Sequence, residues 1–345
     1  MSAARRHRWL RWAVLAGIVW LAVSGGVFHR VWNDPYNSQV RPVIADDRSA
    51  EDIPLDTETN DQPGWSSQAL GVERRELRAF ESWFERKLGA PTTSRLTFST
   101  ERADRTQRVE CLVLTPKSPG PEVVLYLASS GSRQGWTFDI EAMAAYRALG
   151  REVRMLVVPL PAEEQRGPGW QALATLDLPG LEGMLRQSVL DLTRAVRVCQ
   201  AQGWEVTTAA GYSLGALFMA SAVGLRPDVI DPPELVLWGM GADLELLGKL
   251  SEHRLARLLR GGDGIDEGYR RQLVARLDPL THLRRARITN ARLIAGRKDA
   301  IIPPVCVEAL AKDMRAHHID TEIEWVDGGH YAVIGVPTRV ERLFM

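Results

Sequence analysis

Ser213 sits at the centre of Gly211-Tyr212-Ser213-Leu214-Gly215. A serine hydroxyl is a weak nucleophile near neutral pH and attacks only when a base takes its proton. The flanking residues suit that use. Val206-Thr207-Thr208 reads as a strand and Ala216 to Val223 as a helix. A strand that turns sharply into a helix presents the side chain at the turn. The two elements then lie too close for neighbouring side chains, and Gly211 and Gly215 have none.

A base and an orienting acid must come from elsewhere in the chain. After an apolar strand at Ala291–Ala295 comes Gly296-Arg297-Lys298-Asp299, and after Thr321–Val326 comes Asp327-Gly328-Gly329-His330. His330 can take the serine proton and return it to a leaving group. Asp299 can fix the imidazole tautomer and stabilise the imidazolium. Asp243 and Asp278 compete with Asp299 for that role. The remaining histidines (His7, His29, His253, His282, His317, His318) follow no such strand end and read as surface or anchor residues. Acyl chemistry also needs donors for the developing oxyanion. The Leu214 N–H, at a helix start, is the first candidate. The second is expected after the strand Glu122–Ala128, where Ser129-Ser130-Gly131-Ser132 follows; Ser132 N–H is chosen by position, with Ser130 as the alternative.

The elements that must position these groups alternate along the chain. Strands are predicted at Arg95–Thr100 and Arg108–Leu114, expected to pair with each other, then at Glu122–Ala128, Glu152–Leu160, Glu205–Ala210, Leu235–Trp238, Ala291–Ala295 and Thr321–Val326. Helices are predicted at Ser66–Leu88, Ile140–Leu149, Met184–Gln202 and Val305–His317. Alternation from about residue 120 onward predicts an α/β fold with a doubly wound, mostly parallel sheet covered on both faces. Sites in such sheets form beyond the carboxyl ends of the strands, where all three candidate side chains fall.

On these motifs the chain resembles the α/β-hydrolase superfamily from about Arg95 to the C-terminus. The resemblance rests on the elbow around Ser213, the acid in Gly296-Arg297-Lys298-Asp299 and the Gly329-His330 pair. Asp278-Pro279-Leu280 is similar to a segment of esterase and dienelactone-hydrolase-like members. Many members carry His-Gly in the oxyanion loop, where this chain has Ser130-Gly131. The resemblance implies an ester hydrolase working through an acyl-enzyme without a cofactor. A peptidase, an acyltransferase and a non-catalytic binding protein are the rival expectations.

The rest of the chain bounds the setting. Its 43 basic and 43 acidic residues balance, which gives no reason to expect a nucleic-acid partner; a small acyl substrate is the expected partner. Residues 1–32 read as a signal anchor or signal peptide. Arg5, Arg6, Arg8 and Arg11 precede an apolar run of 17 residues, Trp12 to Phe28, at the short end of the roughly 17–25 that span a bilayer. The basic flank predicts a catalytic body outside the cytoplasm, tethered or released by cleavage after Ser24. Residues 33–64 read as a polar linker, with eight acids against Arg41 and Arg48, or as an arm laid on the domain. Residues 65–345 read as the α/β-hydrolase domain, and 242–290 are long enough between strands to be a small cap or surface packing.

Other motifs point nowhere. Cys111, Cys199 and Cys306 are odd in number; Cys111 lies in a strand-like run and Cys199 in a helix-like one, and they read as buried hydrophobes, with one bridging pair left open if the chain is exported. Gly239-Met240-Gly241 lacks the third glycine of a dinucleotide fingerprint. His317-His318 are adjacent and cannot share a helix face to bind a metal. Arg284-Arg285-Ala286-Arg287 reads as a solvated face.

Overall fold

The computed structural model describes residues 57–58, 91–102, 105–129, 136–161, 177–251, 253–261 and 265–334. The expected anchor at 1–32, the helix Ser66–Leu88 and most of the linker lie outside them. Among the described residues no helix is long and apolar enough to cross a membrane.

The described residues form one sheet of nine strands: β1 (Thr57–Glu58), β2 (Thr92–Arg102), β3 (Arg105–Thr115), β4 (Glu122–Leu127), β5 (Arg154–Val158), β6 (Glu205–Tyr212), β7 (Glu234–Trp238), β8 (Asn290–Gly296) and β9 (Asp320–Val326), in the order β1-β2-β3-β5-β4-β6-β7-β8-β9. β5 to β9 run parallel with β4, whereas β1, β2 and β3 are joined antiparallel. The two linker residues of β1 pair with Phe98 and Thr97 of β2. The expected β2–β3 pairing is present along the whole length of both strands.

The parallel strands read as continuous apolar runs because both faces are covered. Leu125, Leu127, Leu235, Leu237 and Leu293 join one buried cluster, with α2 (Leu178–Ala201), α3 (Leu214–Leu225) and α8 (Pro304–Ala316). Their neighbours Val124, Tyr126, Val236, Trp238 and Ile294 join another, under α1 (Trp136–Ala148). Successive side chains thus go to opposite faces, as strand geometry requires.

Helix boundaries differ from expectation at several points; α1, for one, starts at Trp136 rather than Ile140. α2 starts at Leu178, before the predicted Met184. Asp177 caps it by accepting from Gly180 N at 2.8 Å, and Pro179 lies in the first turn. Pro179, Gly180 and Gly183 dilute the apolar periodicity there, so the cap is the informative signal. The helical spacing of Leu244–Leu259 predicts one helix there, but the structure has two, α4 (Leu244–Leu250) and α5 (Arg254–Arg260). Ser251 breaks it in extended backbone; its Oγ accepts from His253 N at 3.1 Å and donates to Ala300 O at 3.3 Å.

With α6 (Glu267–Leu277) and α7 (Leu280–Leu283), α4 and α5 make up the segment 242–290. Leu247, Leu259, Leu273, Leu277 and Leu283 join the cluster of α2 and α3. α7 sits so close to α3 that a Cβ on Gly224 would lie 2.2 Å from His282 O. His282 is therefore not the surface residue expected: it is 8% exposed, with Nε2 2.8 Å from Arg276 O. Cys111, Cys199 and Cys306 are buried, as read from sequence.

Candidate active site

Ser213 stands between β6 and α3 with φ 53° and ψ −122°. Positive φ in a residue with a Cβ is strained, and such strain concentrates at functional sites. Surrounding bonds over-determine it: Ser213 N donates to Trp238 O at 2.9 Å and Leu217 N donates to Ser213 O at 3.0 Å. The flanking glycines are steric necessities. A Cβ on Gly211 would lie 2.8 Å from Ala216 N and from Gly215 C and O; one on Gly215 would lie 2.3 Å from Ala128 O and 2.4 Å from Leu127 O. α3 begins at Leu214, so the positive end of its dipole faces the serine.

His330 and Asp299 converge on this serine. His330 Nε2 is 2.9 Å from Ser213 Oγ, and His330 Nδ1 is 2.8 Å from Asp299 Oδ2. A carboxylate only accepts, so Nδ1 carries the ring proton and Nε2 accepts from the serine hydroxyl. Asp299 Oδ1 is held in turn by Ile301 N and Ile302 N, each at 2.8 Å. The imidazole and the carboxylate are 4% and 2% exposed, so little water competes for their hydrogen bonds.

The backbone explains how two loops from separate strands meet. Arg297 N donates to Val326 O and Lys298 N to Gly328 O, both at 2.9 Å. A Cβ on Gly296 would lie 2.6 Å from both Gly328 O and Gly329 O. This crossing thus demands a glycine at position 296. His330 opens a short 3₁₀ turn, His330–Ile334. Its ring lies 5.3 Å from the Tyr212 ring at 30° and 5.5 Å from the Tyr331 ring, edge on. Gly239, at φ 56°, completes the wall: a Cβ there would lie 3.0 Å from His330 Cε1. Tyr212 OH donates to His330 O at 3.3 Å.

The rival acids are engaged elsewhere. Asp243 caps α4 by accepting from Leu246 N at 3.0 Å. Asp278 accepts from Leu244 N at 2.6 Å and Leu280 N at 3.1 Å. Burial raises the Asp278 carboxyl above its ordinary value, opposed by those backbone bonds. Of the two oxyanion candidates, Leu214 is the first residue of α3 and is buried beside Ser213, whereas Ser132, with its alternative Ser130, lies outside the described residues.

Sequence reasoning missed Glu141 of α1. It is 6% exposed and accepts from Tyr126 OH at 2.7 Å, from Ser129 N at 2.8 Å and from Ser129 Oγ at 2.5 Å. The available signal was an acid between Ile140 and Ala142 in an otherwise apolar helix segment.

No protein-family model and no curated protein sequence matches the chain. Solved structures do resemble it. The Pyrococcus horikoshii acylaminoacyl peptidase matches at 13% identity and TM-score 0.54, over 76% of this chain and 42% of the peptidase. A Mycobacterium tuberculosis puromycin-hydrolyzing peptidase matches at 18% identity and TM-score 0.53, over 73% of this chain and 38% of its own length. The acetyl xylan esterase from Paenibacillus sp. R4 matches at 15% identity and TM-score 0.54, over 86% of this chain and 89% of the esterase. The chain thus spans well under half of either peptidase. The shared architecture is the α/β-hydrolase fold, in agreement with the resemblance read from the motifs.

Proposed function

We propose that the chain is a serine hydrolase that cleaves carboxylic esters through an acyl-enzyme. The observation that carries this reading is the hydrogen-bonded series Ser213 Oγ, His330, Asp299, at 2.9 and 2.8 Å, ending on a serine with positive φ. Ser213 Oγ attacks the acyl carbon as His330 Nε2 takes its proton. Asp299 Oδ2 holds the Nδ1 proton and balances the imidazolium. Leu214 N–H donates to the oxyanion, with the second donor, Ser132 or Ser130, from the loop after β4. His330 then protonates the leaving alcohol. Water, deprotonated by the same ring, attacks the acyl-enzyme and releases the acid. None of these steps uses a cofactor.

Esterases and peptidases share this fold, and the ester reading follows the resemblance of Asp278-Pro279-Leu280 to esterase members. The N-terminal basic and apolar segment supports a catalytic body outside the cytoplasm, tethered or released; fractionation of cells expressing the full chain tests that placement. For the chemistry, wild-type protein is expected to hydrolyse p-nitrophenyl acetate and Ser213→Ala to be inactive while keeping its melting temperature within a few degrees. Equal turnover by both proteins would refute the proposal.

A further inference from the structure

β4 passes directly under the elbow. Leu127 O and Ala128 O are the atoms that a Cβ on Gly215 would strike, and Ala128 N is tied to Val158 O at 3.1 Å. The next residue, Ser129, is where the chain leaves the sheet towards the loop expected to supply the second oxyanion donor. One side chain holds Ser129 itself. Glu141 Oε1 accepts from Ser129 N at 2.8 Å, and Oε2 accepts from Ser129 Oγ at 2.5 Å. The carboxylate thus grips both the backbone and the side chain of one residue.

Glu141 is itself braced. Its Oε1 also accepts from Tyr126 OH at 2.7 Å, and Tyr126 is fully buried in β4 against Trp238, ring centroids 6.1 Å apart. Trp238 in turn supplies the carbonyl that receives Ser213 N. Burial above all, then the Glu141 charge, raises the Tyr126 hydroxyl well above its ordinary value, which keeps it a donor. A buried carboxylate is expensive unless several donors satisfy it, and this one has three on the strand that underlies the nucleophile.

We infer that Glu141 is a positioning residue for oxyanion stabilisation, acting through Ser129 to fix the chain where it leaves β4 beside the elbow. The inference rests on the serine-hydrolase reading. The Ser129 N–H itself is committed to Glu141. What matters is the reach of the side chain rather than its charge. A glutamine of the same length can keep its carbonyl oxygen on Ser129 N and Tyr126 OH and donate its amide to Ser129 Oγ. An aspartate keeps the charge but stops one methylene short.

The test compares Glu141→Gln and Glu141→Asp in the full chain on p-nitrophenyl acetate, with melting temperatures alongside. A misplacement of about 1 Å at a reacting geometry costs about a hundredfold. Glu141→Asp is therefore expected to lose about 10- to 100-fold in kcat with KM within threefold. Its affinity for an alkyl trifluoromethyl ketone, which forms a tetrahedral adduct on the serine, should fall in parallel with kcat/KM. Glu141→Gln should stay within about threefold of wild type on every readout. Should Glu141→Asp fail to fold, Ser129→Ala removes one of the two bonds and is expected to lower kcat about 2- to 10-fold, the equivalent of one net hydrogen bond.

Three results overturn the inference while leaving the hydrolase reading intact: wild-type kcat in Glu141→Asp, Glu141→Gln as impaired as Glu141→Asp, or unchanged kcat in Ser129→Ala. A wild-type protein that neither turns over the ester nor forms the ketone adduct overturns both readings together.

Discussion

Replacing Gly215 by alanine should disable the elbow with little loss of fold. A Cβ at this position would stand 2.3 Å from Ala128 O and 2.4 Å from Leu127 O, where contacts below 3.0 Å are essentially never seen. Both obstacles are backbone, so no rotamer change relieves them. The start of α3 must therefore retreat from β4 by about 0.7 Å, the difference between 3.0 and 2.3 Å. That retreat carries Ser213 and the Leu214 N–H with it, while His330 stays fixed by the loops after β8 and β9. Overpacking of this kind costs about 1–3 kcal/mol, partly offset by the roughly 1 kcal/mol by which alanine favours a helix over glycine. Net stability should fall by no more than about 2 kcal/mol. Activity is more sensitive, because a misplacement near 1 Å costs about a hundredfold. Gly215→Ala is expected to lose about 10- to 100-fold in kcat on p-nitrophenyl acetate. Gly211→Ala, whose nearest contacts of 2.8 Å demand a smaller shift, should lose less. Steady-state kinetics with thermal melts would decide it. A Gly215→Ala protein within threefold of wild type, or a greater loss in Gly211→Ala, would refute the steric reasoning.

Two further predictions follow from the geometry. Asp299→Asn keeps the shape but lets an amide N–H face His330 Nδ1, which disfavours the tautomer that serves Ser213; loss of that acceptor costs up to about 10⁴ in kcat in serine triads, so a decrease of at least 100-fold is expected in steady-state assays. Burial pushes the Cys199 thiol up to about 12 and the Cys306 thiol up to about 11. Both values lie above the unfolded thiol's 9.0, so their contribution to stability is complete below pH 9.0 and is lost as pH rises towards 11 and 12. Urea unfolding between pH 8 and 10.5 should show stability falling above pH 9, less steeply in Cys199→Ala, and an identical slope in that variant would contradict the assignment.

The candidate site was legible because its chemistry lies at strand ends. A buried parallel strand announces itself as an apolar run, so the residues just beyond β6, β8 and β9 could be picked out without coordinates. Ser213, Asp299 and His330 emerged that way, and the choice of Asp299 over Asp243 and Asp278 agrees with the capping bonds that occupy the other two. What sequence could not supply was contact across distant elements. Glu141 reaches Ser129 from another element, and no periodicity encodes that reach. Gly239 reads only as part of an incomplete dinucleotide fingerprint until His330 is found against it. His282 was misread for the same reason: its burial comes from the approach of α7 to Gly224, which depends on two small surfaces meeting. Helix starts were lost where a cap outweighed the apolar pattern, as at Asp177 before α2.

The central claim is that the hydroxyl of Ser213 is activated by His330. Intact-mass analysis after exposure to a fluorophosphonate, followed by peptide mapping, tests it most directly. The account predicts one adduct per chain, on Ser213, formed at least 100-fold more slowly in His330→Ala. Folded wild-type protein that takes up no adduct, or takes it up at another residue, would contradict it.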